Sequence, residues 1–172
     1  MNKQKGVFSI ELAFVLLGMC AFLFFIFDLG FQVVQKSQLH RTSYSLASVL
    51  KERKAFFTKG TRATNWDINA DEAREMLQIA QNLLGQGKDD LRVNIGFKSG
   101  KKPEQSFFAG NGDIKCDAKS IGDDITEGSK HDLNVYRVTL CRRVPAFFEK
   151  AIAGQADKES RVLQSTSLFV GR

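Results

Sequence analysis

One long apolar stretch dominates the hydrophobic pattern of the chain. No residue from Leu12 to Phe27 carries a charge, and after Asp28 a further apolar turn continues to Val34. A helix from Val7 to Val34, rising about 1.5 Å per residue, is long enough to cross a hydrocarbon layer of roughly 30 Å. The pattern therefore predicts a membrane-spanning helix over this stretch.

The helical pattern continues beyond the apolar stretch. Neither Gly nor Pro occurs between Phe31 and Phe57, and apolar side chains recur at near-helical spacing at Leu39, Leu46, Val49 and Leu50. We expect a single helix of about 50 residues from Val7, roughly 75 Å long, which ends at Gly60 to Arg62. Residues 35–58 would be its continuation outside the membrane.

The rest of the chain, residues 59–172, has the length of one compact domain, here called the head. A helix is predicted after Asn69, which can cap it with Glu72 as the reciprocal partner, and Gly85 and Gly87 stop it. Its apolar face consists of Ala73, Met76, Leu77, Ala80, Leu83 and Leu84.

Strand patterns follow that helix. Leu91 to Phe97 alternates without a fault, which predicts a strand with one buried face. The remaining predictions are a turn from Lys98 to Pro103, a short strand at Phe107–Phe108, a polar loop from Gly110 to His131, a strand from Leu133 to Arg143, a short helix from Pro145 to Ala153, and a last strand from Arg161 to Val170. The predicted fold class is α+β: a long membrane helix, then an antiparallel sheet with one or two helices packed against it.

The residues at and before the start of the apolar stretch form a second pattern. Lys3 and Lys5 precede Gly6, and Glu11 lies near the start of the apolar stretch, where a carboxylate is costly in lipid. This arrangement resembles a type IV prepilin signal, which implies cleavage between Gly6 and Val7 by a prepilin peptidase. The resemblance also implies that the apolar helix stays on the mature chain, and that Glu11 pairs with the N-terminal amine of a neighbouring subunit.

The N-terminus allows three other interpretations. A secretory signal peptide has a shorter apolar run and an Ala-x-Ala cleavage site, which is absent here. A lipoprotein signal at Cys20 needs a small residue before the cysteine, and Met19 is not small. A plain uncleaved anchor remains open, although it leaves Glu11 without a role.

Two further stretches narrow the resemblance. Arg41-Thr42-Ser43-Tyr44-Ser45-Leu46-Ala47-Ser48-Val49-Leu50-Lys51-Glu52-Arg53 and Val135-Tyr136-Arg137-Val138-Thr139-Leu140-Cys141-Arg142, taken with the leader, resemble TadF, a family of minor pseudopilins of the tight-adherence (Flp) pilus. The resemblance implies export of the head to the periplasm. It also implies as partners a prepilin peptidase, a sister minor pseudopilin, the major Flp pilin, an inner-membrane assembly platform and a cytoplasmic ATPase.

One departure from the major pilin is informative. The major Flp pilin is a very short chain with Tyr directly after the Glu, whereas here Leu12 follows Glu11 and more than half of the chain follows the helix. The resemblance therefore favours a minor subunit that primes or modulates assembly of an adhesion pilus. The alternative is a single-pass anchored periplasmic module that binds a ligand or partner and never enters a filament.

The net charge and the short motifs of the chain indicate neither nucleic-acid binding nor catalysis. The net charge is +6, of which the leader contributes Lys3 and Lys5, and this mild excess does not indicate nucleic acid. The two histidines, His40 and His131, lie in unlike segments, and no nucleophile elbow or phosphate loop occurs. The sequence predicts neither an enzyme nor a cofactor.

The cysteines bear on compartment. Cys20 lies in the apolar stretch, whereas Cys116 and Cys141 lie in the polar part and would form a disulfide if the head is outside the cytoplasm. Two free thiols in a cytosolic domain are the alternative. The count of flanking Lys and Arg favours a cytoplasmic head, with Lys36, Arg41, Lys51, Arg53 and Lys54 after the span. We give the leader and the cysteine pair more weight than this count.

The polar loop offers a weak metal candidate. Its acidic side chains could supply the six to eight oxygens that calcium needs, but their spacing is not that of an EF-hand. A solvated acidic loop is the simpler interpretation. The candidate ligands are Asp113, Asp117, Asp123, Asp124 and Glu127.

Overall fold

A computed structural model describes residues 4–52, 68–85, 87–100, 102–122, 133–145 and 160–171. The helix end predicted at Gly60 to Arg62 and the helix predicted from Pro145 to Ala153 lie outside these residues, apart from Pro145 itself. The chain forms two compact units, Met1–Val34 with Pro145–Arg161, and Gln35–Val144 with Val162–Arg172.

The predicted long helix is confirmed. Helix α1 runs from Gln4 to Lys51, a length of 48 residues. A length above 40 residues is far outside the usual range for globular helices, and it arises here because neither Gly nor Pro interrupts the second half of the pattern.

The second helix begins and ends where the sequence predicts. Helix α2 runs from Ala70 to Leu84, and the Asn69 side chain accepts a hydrogen bond from the Glu72 backbone N–H at 2.9 Å. Gly85 closes the helix in the left-handed region, at φ 62°, and its N–H donates to the Gln81 carbonyl. A short 3₁₀ turn, Lys88–Asp90, leads into the sheet.

Four strands form one antiparallel sheet in the order β2-β1-β3-β4. The bounds are Leu91–Ser99 for β1, Gln105–Gly110 for β2, Asn134–Pro145 for β3 and Ser160–Val170 for β4. The predicted turn after β1 is present, because Lys102 N–H donates to the Ser99 carbonyl at 3.1 Å. Pro145, predicted to begin a helix, is instead the last residue of β3.

One face of the sheet packs against both helices. Val93, Ile95 and Phe97 of β1 lie opposite Leu140, Val138 and Tyr136 of β3 in the register of the sheet. They form one core with apolar side chains of α1 and α2, among them Leu39, Leu46, Leu50, Met76 and Ala80. Burying each of the larger side chains contributes roughly 1.5–3 kcal/mol. The core between the sheet and the two helices therefore contributes strongly to the stability of the fold.

Helix α1 meets β4 through small hydroxyl side chains. The Ser43 hydroxyl lies 3.0 Å from that of Ser165 and 2.9 Å from that of Ser167, and all three residues are buried. The ring of the next residue along α1, Tyr44, meets Phe169 edge-on at 5.0 Å. Serines bring the helix close to the strand and satisfy each other's polar groups, which larger apolar residues would not allow.

On the opposite face of the sheet, the structure differs from the sequence-based prediction for β1. The alternation of β1 predicts one buried face, but Asn94 and Lys98, on the polar face, are only 2% and 7% exposed. Residues 111–122, which we call the covering segment, pack over this face, with Ile114 and Ile121 buried. The described part of the polar loop predicted from Gly110 is therefore irregular and has exposed side chains, but it packs on the sheet through Ile114, Cys116 and Ile121.

Candidate functional site

The first half of α1 presents an apolar surface to its surroundings. Phe14 and Phe27 are each 72% exposed, and most side chains from Phe8 to Val34 are exposed as well. Within the described residues α1 is the one helix long and apolar enough to cross a membrane, with a mean hydropathy of 2.6 in its most apolar window and none of that window buried. Such a surface is stable only in lipid or against other apolar helices.

Glu11 interrupts this apolar surface. It is exposed on α1, and its carboxylate has no hydrogen-bond or ion-pair partner among the residues that the structure describes. Gly6, five residues earlier, is part of the same helix. An unpaired carboxylate on a lipid-facing helix is costly, so a partner outside this chain would stabilise it.

A second carboxylate on α1, that of Asp28, is buried and has partners within the chain. Asp28 is 5% exposed, and its Oδ2 accepts a hydrogen bond from Gln32 Nε2 at 3.1 Å. Arg161 Nη1 lies 3.7 Å from the same oxygen. The arginine thus offsets the charge at the end of the apolar run, and nothing in the sequence pattern pairs these two residues.

A disulfide joins the covering segment to the sheet. Cys116 and Cys141, the pair expected from the sequence, are bonded, with their Cα atoms 5.6 Å apart. Both cysteines are buried, in one small cluster with Ile114. Cys20 is free and exposed on α1.

Backbone carbonyls of the covering segment are bound by polar side chains from the sheet. Arg92 Nη1 donates to the carbonyls of Gly112 and Ile114, at 2.9 and 2.8 Å. Lys98 Nζ donates to the Ile121 carbonyl at 3.0 Å, Gln164 Nε2 donates to that of Asp117 at 2.6 Å, and Arg137 donates to that of Lys119. The segment has few apolar side chains, so these bonds and the disulfide hold most of it in place.

The centre of this polar layer is a buried ion pair. Arg137 Nη2 lies 2.6 Å from Glu104 Oε1, with the two side chains 4% and 14% exposed. The other oxygen of Glu104 accepts the Ile121 backbone N–H at 2.8 Å. Burial lowers the pKa of Arg137, and the charge of Glu104 opposes that shift.

A glycine makes room for the ion pair. Gly96 lies directly opposite Arg137 in the register of β1 and β3. A Cβ atom at this position would lie 2.6 Å from Glu104 Oε1 and 3.0 Å from Arg137 Nη2. Sequence reasoning did not single out Gly96, Glu104 or Arg137, because their contacts depend on which strands become neighbours.

A cavity of about 280 Å³ lies beside the ion pair. Its lining combines the sheet with the covering segment: Asn94, Glu104, Ser106, Phe108, Cys116, Asp117, Ala118, Ser120 and Arg137.

The calcium candidates are only partly described. Asp113 and Asp117 are exposed, whereas Asp123, Asp124 and Glu127 lie outside the described residues. Within the described ranges no group of acidic, His or Cys side chains could hold a metal ion. The two described aspartates therefore do not form a site by themselves.

Comparison with protein families identifies a match along the chain. The family "Putative tight adherence pilin protein F" (TadF) matches residues 1–172, which is the whole chain. Searches of curated proteins and of solved structures found no match. The long apolar helix with a charged residue near its start, followed by an α+β head, is the architecture expected from the resemblance to this family. The chain belongs to the TadF family of tight-adherence pilin proteins, a structural and non-enzymatic kind of protein associated with membranes and pili.

Proposed function

We propose that this chain is a minor pseudopilin of a tight-adherence type IV pilus. It is inserted in the bacterial inner membrane by residues 7–34, is cut by a prepilin peptidase between Gly6 and Val7, and carries its head in the periplasm. It primes or modulates pilus assembly for surface adhesion, and it can enter the pilus at the cell surface.

The observation that carries this proposal is the exposed apolar part of α1 with Glu11 near its start. The carboxylate has no partner within the described chain, while cleavage after Gly6 creates a positive N-terminal amine on the mature subunit. Pairing Glu11 with the amine of a neighbouring subunit would neutralise two charges that are both costly in lipid. The pairing would also fix the axial position of the subunit during assembly.

The disulfide supports the periplasmic location of the head. Disulfides persist in the bacterial periplasm and are rare in the cytosol, and Cys116–Cys141 joins the covering segment to β3. The Lys and Arg count still favours the opposite orientation. That count is weakened because Lys36 and Arg41 are exposed residues of α1 itself, and α1 continues as a helix past them.

The proposed partners follow from this assignment. They are the prepilin peptidase, a sister minor pseudopilin, the major Flp pilin, and the inner-membrane platform with its cytoplasmic ATPase. Contacts with other pilins would use the apolar surface of α1, and contacts with the platform would use the cytoplasmic end of the mature helix.

Deletion and complementation test the proposal. In cells with a complete tight-adherence system, deleting this chain should abolish or strongly reduce surface pili counted by electron microscopy. The wild-type chain should restore them, whereas Glu11→Gln should be processed and membrane-inserted but fail to restore them. Glu75→Gln, at an exposed position of α2, is the matched control and should behave as wild type.

The same experiment separates the alternative of an anchored binding module. Such a module needs its helix only for attachment, so Glu11→Gln would leave its function intact. Normal pilus numbers in the deletion strain, or full complementation by Glu11→Gln, would reject the pseudopilin assignment.

A further inference from the structure

Strand β4 forms one edge of the sheet. Among the described residues its one hydrogen-bonded neighbour is β3. Two contacts agree on the register: Gly171 N–H donates to the Asn134 carbonyl at 2.7 Å, and the hydroxyls of Thr139 and Thr166 are 3.0 Å apart. Backbone groups of alternate residues in a strand point to opposite sides. Since Gly171 points its N–H at β3, the N–H and C=O groups of the even-numbered residues from 162 to 170 face away from β3.

From Val162 to Val170, the residues of this edge carry neither a charge nor a proline that would guard it against pairing. Natural edge strands are guarded against pairing by charged residues, prolines or bulges. Val162, Leu168 and Val170 are also 43%, 46% and 42% exposed. Outward backbone groups together with exposed apolar side chains are what a further strand would bind.

The opposite edge, β2, has matching properties. Gln105–Gly110 also lacks charge and proline, and Asn111 N–H donates to the Leu91 carbonyl. By the same alternation, the backbone groups of residues 106, 108 and 110 face away from β1. The Phe108 side chain is 49% exposed, which leaves a large apolar group at this edge as well.

Phe108 and Leu168 lie on the same face of the sheet. Phe108 lies opposite Asn94 in β1, and Asn94 lies opposite Thr139 in β3. Thr139 touches Thr166 of β4, and Leu168 is two residues further along that strand. Side chains two residues apart point to the same face, so the exposed apolar groups of both edges are on one side.

We propose that the β4 edge binds the β2 edge of a second copy of this chain, in antiparallel pairing with Leu168 opposite Phe108. Strands β2 and β4 run antiparallel to each other within the sheet, because three antiparallel pairings separate them. A second copy in the same orientation therefore presents β2 in the correct direction. The contact is head-to-tail, so it continues from copy to copy and produces a linear assembly.

A symmetric β4–β4 pairing fits less well. Helix α1 runs in the same direction as β4, since His40 contacts Ser165 at 3.3 Å and Tyr44 contacts Phe169. An antiparallel β4–β4 pair would thus place the two α1 helices in opposite directions. Copies anchored in one membrane by α1 have these helices aligned, which the β4–β2 pairing preserves. The inference does not depend on cleavage at Gly6.

Cysteine crosslinking of the full-length protein in membranes tests the pairing. Cys20 is first replaced by Ser, because it is a free exposed thiol. Two differently tagged copies, one with Leu168→Cys and one with Phe108→Cys, are co-expressed and oxidised with copper phenanthroline. We expect a mixed dimer carrying both tags. The absence of the mixed dimer, or a strong homodimer from a Thr166→Cys copy alone, would overturn the proposal.

A charge placed on the edge gives a second readout. Val170→Lys in the Leu168→Cys copy should lower the yield of the mixed dimer by about tenfold, because a lysine on an edge strand blocks pairing. Leu83→Lys is the matched control: Leu83 is 59% exposed on α2, away from both edges, and should leave the yield unchanged. Equal yields for both variants would contradict the pairing.

Amide exchange distinguishes a second copy from coverage of the edge by the chain itself. In detergent-solubilised full-length protein, the amides of Thr166 and Leu168 should exchange quickly at high dilution and become protected as concentration rises. Protection that is independent of concentration would show that the same chain covers the edge, and this result would refute the proposal.

Discussion

Gly96 matters because it has no side chain. The position lies in the middle of β1, where glycine weakens a strand, and no turn or positive φ requires it. Its role is to admit the side chains of Glu104 and Arg137, which occupy the space where a Cβ would lie. The covering segment depends on that ion pair, so one missing side chain affects a whole layer of the fold.

Gly96→Val should destabilise the head by about 2–3 kcal/mol, because the added side chain separates a buried ion pair. The matched control is Gly87→Val, since Gly87 has nothing within 4 Å of an added Cβ and an extended backbone at φ −68°. The measurement is urea unfolding of the full-length protein in a mild detergent. Equal midpoints for the two variants would show that the space at Gly96 is not needed.

The ion pair itself gives a second residue-scale prediction. Glu104→Ala leaves the Arg137 guanidinium buried without its carboxylate and should cost about 3–5 kcal/mol, as removal of one partner of a buried pair generally does. The double variant Glu104→Leu, Arg137→Met removes both charges and should recover a large part of that loss. If the double variant is as unstable as the sum of Glu104→Leu and Arg137→Met made separately, the pair is not coupled.

Residues that act within their own helix could be predicted from the sequence, whereas contacts between residues distant in the sequence could not. The caps of α2, Asn69 and Gly85, act on their own helix, so their type and spacing in the sequence sufficed to place them. Glu104, just before β2, and Arg137 of β3 are brought together only when β1 pairs with both β2 and β3. No spacing in the sequence records that pairing.

At the scale of elements, the covering segment is the least expected feature. The sequence from Gly110 onward has few apolar residues and reads as a loop, yet residues 111–122 bury a face of the sheet. Its backbone carbonyls are the groups that Arg92, Lys98 and Arg137 bind. Every residue has a carbonyl, so such binding leaves no residue pattern along the segment itself.

Removing the disulfide tests how the covering segment is held. The double variant Cys116→Ser, Cys141→Ser should lose roughly 3 kcal/mol, because the crosslink no longer restricts the unfolded chain. Limited proteolysis should then cut first within residues 111–122, while α2 stays resistant. Uniform loss of resistance along the head would show that the segment and the sheet unfold as one unit.

The alternation of apolar and polar residues predicted the positions of the strands but not the burial of both faces of β1. Alternation correctly placed β1, and the positions of β2, β3 and β4 were also predicted. The second buried face of β1 was missed because polar side chains such as Asn94 and Lys98 are usually taken as solvent-facing. They are buried here because Lys98 has a carbonyl to bind and β1 lies beneath the covering segment.

For the whole molecule, the apolar part of α1 and the membership of the TadF family define the class of the protein. A continuous helix of 48 residues was predictable because its signals are long and periodic. The pairing of Asp28 with Arg161 was not, since the two residues are distant in the sequence. The unpartnered Glu11 and the neighbouring Gly6 carry the proposal of a processed pilin.

The mass of the mature chain tests this account most directly. The full-length gene is expressed in cells with an active prepilin peptidase, and the protein is extracted from membranes for intact-mass analysis and N-terminal sequencing. We predict loss of Met1 to Gly6 and a mature chain that begins at Val7. The control variant, Gly6→Val, should keep its leader in the same cells. A wild-type chain that retains Met1 where the peptidase is active would contradict the pseudopilin account and leave a plain membrane anchor.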